Sequence, residues 1–242
     1  MRLDQLLSKA GFGSRKHIKK MLKAGEWTLN DLVLSDPSLH IDPKKFEHIH
    51  YRGKPVRLVH TLFYLINKPS GYITATNDRH AAHVNQLLPP ELNDAKVFPL
   101  GRLDKDTTGL LCFTNDGQLA HRLLSPKFHV PKTYWVKIQG EPFCPADIQS
   151  VAAGIQLDDG LTKPAHLSIL KTDEAEITLS EGRFHQVKRM MIALNKTVIA
   201  LKRIQFADIH LPENLALGKG RYLTDEEITG LYEAVNLSRP NL

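Results

Sequence analysis

Between residues 62 and 206 the apolar residues come in short runs, each closed by a turn, and a sheet is what buries runs of that length. Leu62-Phe63-Tyr64-Leu65-Ile66-Asn67 predicts a buried strand stopped by the turn Lys68-Pro69-Ser70-Gly71, with residues 72–76 returning as a second strand. Residues 97–100, 110–114, 132–138, 165–170, 175–179 and 198–206 read as further strands, and 118–124 and 185–194 as helices. Many strands with few helices imply an α+β fold around a mixed, mainly antiparallel sheet with flanking helices.

Charge divides the chain in two. The first sixty residues hold twelve Lys and Arg against six Asp and Glu, while the remainder has twenty of each, so the whole net charge of +6 belongs to the first quarter. Such asymmetry points to a phosphate-contacting module joined to a neutral body. Leu3, Leu6 and Leu7 have helical spacing, and Ser14 can cap a second helix over residues 15–24, with Gly25 just beyond it. Lys16, Lys19, Lys20 and Lys23 then form one stripe with no acidic residue beside them, while Ile18, Met21 and Leu22 face another way. That stripe is read as a phosphate-binding face acting through counterion release, against the blander reading of a solvated helix edge. His40, His48 and His50 lack a cysteine or carboxylate partner and are read as surface or RNA-facing residues, so no metal site is expected. Cys112 and Cys144 are far apart, and Cys112 inside Leu110-Leu111-Cys112-Phe113 is expected to be a buried structural thiol. No apolar stretch approaches the roughly 18–20 residues that span a bilayer. With no apolar signal region in Met1-Arg2-Leu3-Asp4-Gln5, a cytoplasmic protein is expected.

The chemistry concentrates in residues 99–111, Pro-Leu-Gly-Arg-Leu-Asp-Lys-Asp-Thr-Thr-Gly-Leu-Leu. Arg102 and Asp104 follow a buried strand in a loop bracketed by Gly101 and Gly109, which allows a nucleophile or base at Asp104. By residue type alone an Arg-x-Asp pair is more often structural. A second basic segment lies at residues 181–190. There Val187, Met190, Met191 and Leu194 share an apolar helical face, and His185, Lys188 and Arg189 project from another side. Gly182 and Arg183 before that helix suggest a turn that presents its start to RNA phosphate.

Residues 1–57 resemble the S4 RNA-binding domain through Arg2-Leu3-Asp4, Leu7, Ser14-Arg15, Gly25 and Trp27-Thr28-Leu29-Asn30, with Asp31 where that family often has glycine. Gly101-Arg102-Leu103-Asp104, then Thr107-Thr108-Gly109-Leu110-Leu111 and Thr114-Asn115-Asp116-Gly117, resemble the active-site signature of the RsuA-type pseudouridine synthases. Lys132-Thr133-Tyr134 is similar to that family's second motif, and residues 181–190 (Glu-Gly-Arg-Phe-His-Gln-Val-Lys-Arg-Met) to its third. The resemblance implies an S4-like α/β domain over 1–57, a synthase domain over 58–236 and a loose tail over 237–242. It makes Asp104 the catalytic aspartate, Tyr134 the residue against the target base and Lys188 the cation paired with the aspartate, where many relatives have arginine. It places Arg102 near the flipped nucleotide. RNA contacts are expected from Arg183, His185, Gln186 and Arg189, and from Arg2, Arg15, Lys16, Lys19, Lys20 and Lys23 in front.

The implied reaction breaks the N1–C1′ bond of a uridine, turns the base and joins C5 to C1′. Asp104 either attacks C1′ or removes a C2′ proton, and both routes stay open. No cofactor is expected. The base must leave the stack at a cost of about a few kcal/mol. The implied substrate is ribosomal RNA, free or in an assembling small subunit, with the uridine-516 type of site in 16S rRNA favoured and the protein acting as a monomer. The alternatives are a 23S rRNA uridine, a non-catalytic assembly factor that binds RNA, and a glycoside hydrolase pairing Asp104 with Asp106.

Overall fold

The computed structural model describes residues 2–9, 12–13, 15–41, 49–56 and 61–239. The front module is two helices, α1 (Leu3–Lys9) and α2 (Arg15–Lys23), followed by short strands β1 (Trp27–Leu29), β2 (Leu32–Val33), β3 (Ile49–Tyr51) and β4 (Lys54–Pro55), ordered β2-β1-β3-β4 in one sheet. Leu3, Leu6, Leu7, Ile18 and Leu22 close over Trp27, which Phe12 meets edge-on at 4.9 Å between ring centroids. The β1–β2 turn explains how Asp31 stands where glycine is common. Asn30 (φ 49°) and Asp31 (φ 64°) are both left-handed, and these residue types tolerate that conformation. His40 bridges Arg2 through backbone and His50 lies on β3, while His48 is outside the described residues.

Asp4 is fully buried under two guanidiniums: Arg2 Nε is 3.2 Å from Oδ1 and Arg15 Nη2 is 2.8 Å from Oδ2. Burial pushes its pKa up, but the hydrogen bonds and charges of Arg15 and Arg2 outweigh that and hold it at about 2. A carboxylate depressed on folding stabilises the folded form above its unfolded pKa, near 3.8, and that contribution is lost as pH falls through about 2. In a Trp135→Phe background, Trp27 fluorescence should report an acid-induced weakening of this module across that window. Asp4→Asn should be less stable at neutral pH and lack that component. Identical acid profiles would remove the pairing from the module's stability.

The body follows as β5 (Phe63–Lys68), α3 (Pro90–Asp94), β6 (Phe98–Pro99), β7 (Thr108–Thr114), α4 (Gly117–Leu124), β8 (Lys132–Gly140), α5 (Pro145–Ala153), β9 (Gln156–Leu157), β10 (Gly160–Leu161), β11 (His166–Ile169), β12 (Glu174–Leu179), α6 (Gln186–Ala193), β13 (Lys196–Phe206), β14 (Ile209–His210), β15 (Gly220–Tyr222) and α7 (Asp225–Glu233). The main sheet runs β11-β12-β8-β13-β7-β5-β15, with β14 on β13 and β6 on β7. Among the described residues β13 and β7 are parallel and its other pairs antiparallel, so the sheet is mixed and mainly antiparallel.

Alternation along β7 shows why both faces are covered. Leu110 and Cys112 pack with Leu119, Leu123, Leu231 and Tyr232 from α4 and α7, whereas Leu111 and Phe113 pack with Val84, Leu92 and Val97. Beside these, Val187, Met190 and Met191 of α6 cover Val136, Ala175 and Ile177. Cys112 is buried as expected, and burial pushes its thiol pKa up to about 12. Gly109 (φ 99°) is where β7 and β13 approach, and a Cβ there would collide with the Arg203 backbone.

Three expectations are corrected. Residues 72–76 form no strand; Ile73 makes one isolated bridge to His83, because this segment turns to brace the neighbouring loop. Helices α5 and α7 were missed, although Pro145 opens one and the Thr224–Glu227 capping box the other. The tail is anchored where it is described: Leu237 packs on the core and Arg239 Nη2 lies 2.6 Å from Asp225 Oδ1.

Candidate active site

The loop from Gly101 to Thr107 leaves the sheet at Leu100 and rejoins it at β7, and two buried side chains hold it in shape. Thr74 Oγ1 donates to Leu103 O at 2.7 Å and accepts from Leu103 N at 3.0 Å. Lys68, wholly buried at the end of β5, donates through Nζ to the carbonyls of Pro69 (3.2 Å), Asp104 (3.1 Å), Lys105 (3.2 Å) and Thr107 (2.8 Å). Burial lowers its pKa to about 8, partly offset by the charges of Asp106 and Asp104. The ammonium thus gathers the carbonyls on the inside of the bend, and the loop's carboxylates turn outward. Sequence reasoning placed Lys68 in a turn. Its signal was a lone cation closing a largely apolar strand.

Asp104 faces α6. Its Oδ2 is 3.3 Å from Lys188 Nζ and its Oδ1 is 3.4 Å from His185 Nε2. Lys188 reaches further to Asp106, at 2.6 Å to Oδ1 and 2.8 Å to Oδ2. One cation therefore bridges both carboxylates, and its tighter contacts are with Asp106. Burial works against the Lys188 charge, but the hydrogen bond to Asp106 and the charges of both aspartates raise its pKa. The same hydrogen bond lowers that of Asp106. The side chain of Asp104 is 26% exposed against 69% for Asp106, so Asp104 is the carboxylate held within the site.

Asp104 and His185 line a cleft of about 580 Å³. Its walls are the Asp104 loop with Arg102, the end of α4, Lys132 and Tyr134 on β8, the segment from Leu179 to Val187, and Leu201 and Arg203 on β13. The volume lies within the roughly 300–1,000 Å³ usual for a bound small group, room enough for one extruded nucleotide. Tyr134 and Arg203 are partners across β8 and β13, and the register of that pair shifts between Arg203 and Gln205. A bulge of this kind re-aims side chains beside a site. At the rim His185 is left-handed (φ 49°) and stacks on the exposed Phe184 at 3.8 Å between ring centroids.

The residues expected to contact RNA fall into two groups. Arg102 is exposed at the cleft, and Lys16, Lys19, Lys20 and Lys23 stand exposed on α2, with no ion pair among the described residues. The others are engaged within the protein. Arg2 and Arg15 hold Asp4, each keeping about half its side chain in solvent. Arg183 bonds Asp159, Gly160, Leu161 and Glu181, and Arg189 bonds Asp158, Asp159 and Phe184 O. Those aspartates raise the Arg189 pKa. Gln186 is buried, donating to Glu181 Oε1 at 2.6 Å and accepting from Arg183 N at 2.9 Å. The β9–β10 turn supplies the carboxylates of Asp158 and Asp159, so these two arginines brace the third motif against it.

A model of the family described as RNA pseudouridylate synthase matches residues 62–193, and one of the S4 domain matches residues 1–45. The uncharacterized RNA pseudouridine synthase YtzG of Bacillus subtilis is 43% identical, over 96% of this chain and 99% of its own length. The ribosomal small subunit pseudouridine synthase A of Yersinia pestis is 38% identical, over 96% of this chain and 98% of its own. A crystal structure of a pseudouridylate synthase superposes with a TM-score of 0.67 at 33% identity, covering 96% of this chain and 99% of that one.

Proposed function

The chain belongs to the RNA pseudouridylate synthase family, as an RsuA-type enzyme with an S4 domain in front, and from that premise we propose that it isomerises one uridine of 16S rRNA, at the uridine-516 type of site. The observation that carries the reading is the placement of Asp104, held by Lys68 from behind and facing Lys188 and His185 in a cleft beside Tyr134. The choice of 16S rRNA rests on full-length similarity to proteins named for the small ribosomal subunit. No described helix is long and apolar enough to cross a membrane, and the proposed setting is the cytoplasm, with a monomer acting on 16S rRNA or an assembling small subunit.

In this reading the front module, residues 1–57, brings the lysine face of α2 to RNA phosphate, and the domain over 58–236 receives the flipped nucleotide. The Asp104 carboxylate attacks C1′ or takes the C2′ proton. Lys188 and His185 keep it aimed into the cleft, Arg102 meets the nucleotide at the mouth, and Tyr134 lies against the free base while it turns. Uridine and pseudouridine are isomers, so no oxidant or group donor enters the reaction.

Tyr134→Phe keeps the ring and removes the hydroxyl. Pseudouridine should then appear about tenfold or more slowly than uridine disappears, because loss of the C5 proton has lost its helper. Rapid-quench nucleoside analysis reads both rates, and unchanged rates would leave Tyr134 a stacking role alone.

The function is tested by treating small- and large-subunit rRNA, and the corresponding assembling particles, with purified protein and mapping pseudouridine by carbodiimide-dependent reverse-transcription stops. One new stop in 16S rRNA, absent with Asp104→Asn, is expected. A stop only in 23S rRNA would overturn the substrate, and none anywhere despite tight binding would favour an assembly factor.

A further inference from the structure

The inner wall of the cleft carries two cations that no carboxylate answers among the described residues. Arg203 is 1% exposed. Its Nε donates to Leu110 O at 2.7 Å, but its Nη2 has no hydrogen-bond partner. Lys132 is set two residues before Tyr134 on β8, and its Nζ donates to Val130 O at 3.0 Å. Both cations flank the Phe206 ring, at 5.5 Å for Arg203 and 5.8 Å for Lys132. A third donor stands with them: Thr107 is 2% exposed and its Oγ1 is also without a partner. All three residues line the same cleft as Asp104 and Tyr134. Leaving buried donors unmatched is costly, and such groups accumulate where a ligand supplies the missing acceptor.

Cleaving the glycosidic bond creates that acceptor. As the Asp104 carboxylate bonds to C1′, or takes the C2′ proton, the N1–C1′ electron pair leaves with the base. The carboxylate charge is thereby transferred to a uracil anion delocalised over N1, O2 and O4. When C5 later bonds to C1′, the aspartate is released, or recovers its charge by returning the proton to C2′, and the C5 proton is transferred to N1. Each route balances without any added reactant.

We propose that Arg203, with Lys132 and Thr107, forms an oxyanion-type site on the inner wall of the cleft that receives a carbonyl oxygen of the departing uracil and holds the anion while the base turns. This rests on the reading of Asp104 as the group that cleaves the bond. Preorganised donors aimed at charge that exists only after bond cleavage favour the transition state over bound substrate. Burial together with the neighbouring Arg203 charge lowers the Lys132 pKa to about 8, so at neutral pH this lysine still carries a proton to donate. A backbone phosphate is the other anion to consider. It suits the exposed Arg102 at the mouth, whereas a flat base edge suits donors as buried as Arg203 and Thr107.

The test uses the full-length protein, with Arg203→Lys and the near-isosteric Thr107→Val, whose folding is checked by thermal melts. In single-turnover reactions on 16S rRNA, uridine consumption should slow about 100-fold in Arg203→Lys and about tenfold in Thr107→Val. With 5-fluorouridine at the target, whose base leaves as a more stable anion, the Arg203→Lys defect should shrink to about a tenth of that seen with uridine. RNA with an abasic ribose at the target should bind both variants within about twofold of wild type. An equal defect on both bases, or weakened abasic binding, would overturn the proposal in favour of a structural or a phosphate role. A further arm needs no RNA, so it separates this proposal from the choice of substrate. Near pH 7, wild-type protein should bind 6-azauracil, which ionises readily, more tightly than uracil, and Arg203→Lys should lose that preference. Absence of the preference in wild type would also overturn the proposal.

Discussion

Replacing Asp104 with asparagine is expected to lower turnover by about four orders of magnitude or more, the scale seen when a reacting group is removed from an enzyme. The amide neither attacks C1′ nor accepts a C2′ proton at a useful rate. The protein should remain folded, because Lys188 keeps its contacts of 2.6 and 2.8 Å to Asp106 and is not left as an unpaired cation. RNA affinity should stay within about threefold, since phosphate contacts dominate such binding. Filter binding and single-turnover conversion measured together check both halves. The companion is Asp106→Asn. If Asp106 only anchors Lys188 at the surface, that variant should retain about a hundredth to a tenth of wild-type turnover, a loss on the scale of one hydrogen bond to a charged group. If it loses as much as Asp104→Asn, the two carboxylates act as a pair and the assignment of a single reacting group fails.

Lys68→Met is expected to damage activity less than Asp104→Asn does but, unlike it, to damage stability as well. Methionine fits the volume but leaves the carbonyls of Pro69, Asp104, Lys105 and Thr107 without their shared donor. A buried group left unsatisfied costs about 1–3 kcal/mol. Two of these carbonyls keep a backbone partner, since Thr107 N donates to Asp104 O and Gly71 N to Lys105 O. A net loss of about 2 kcal/mol or more is therefore expected, a fall in melting temperature of about 4–8 °C for a chain of this size. Turnover should fall about 100-fold or more, because a displacement of about 1 Å at a reacting group has that effect. Lys68→Arg should not rescue, since a planar fork cannot converge on carbonyls that surround a single nitrogen. Normal melting with normal turnover would show that the loop keeps its shape without the lysine.

Several features of the site were legible from residues close together in the chain. The stripe of Lys16, Lys19, Lys20 and Lys23 opposite Ile18, Met21 and Leu22 follows from helical periodicity, and α2 buries the three apolar residues it implies. The apolar face of α6, with Val187, Met190 and Met191 buried, follows in the same way. Asp104 stood out through its ordered neighbours Gly101, Arg102, Thr107, Thr108 and Gly109, which made the family resemblance specific.

Other features were out of reach. A basic residue beside a basic helix looks free to meet phosphate, yet Arg183 and Arg189 spend their donors on a turn some twenty to thirty residues earlier. Lys188 lies 3.3 Å from Asp104, but the motif could not rank its two acceptors, which lie in a loop about eighty residues away. Thr107, Lys132 and Arg203 were residues within or beside strands, and nothing local marked them as donors turned on the cleft, while Lys68 showed only as a lone cation at a strand end.

The sequence by itself determined the family, the order of the modules and the faces its helices present, and it singled out Asp104 as the candidate carboxylate, because periodicity and motif spacing are properties of neighbouring residues. Only the tertiary structure decided which charges are consumed inside the protein and which are left exposed. A charge is settled by the partners and the burial it acquires, and here both come from strands and loops that meet only when the sheet closes.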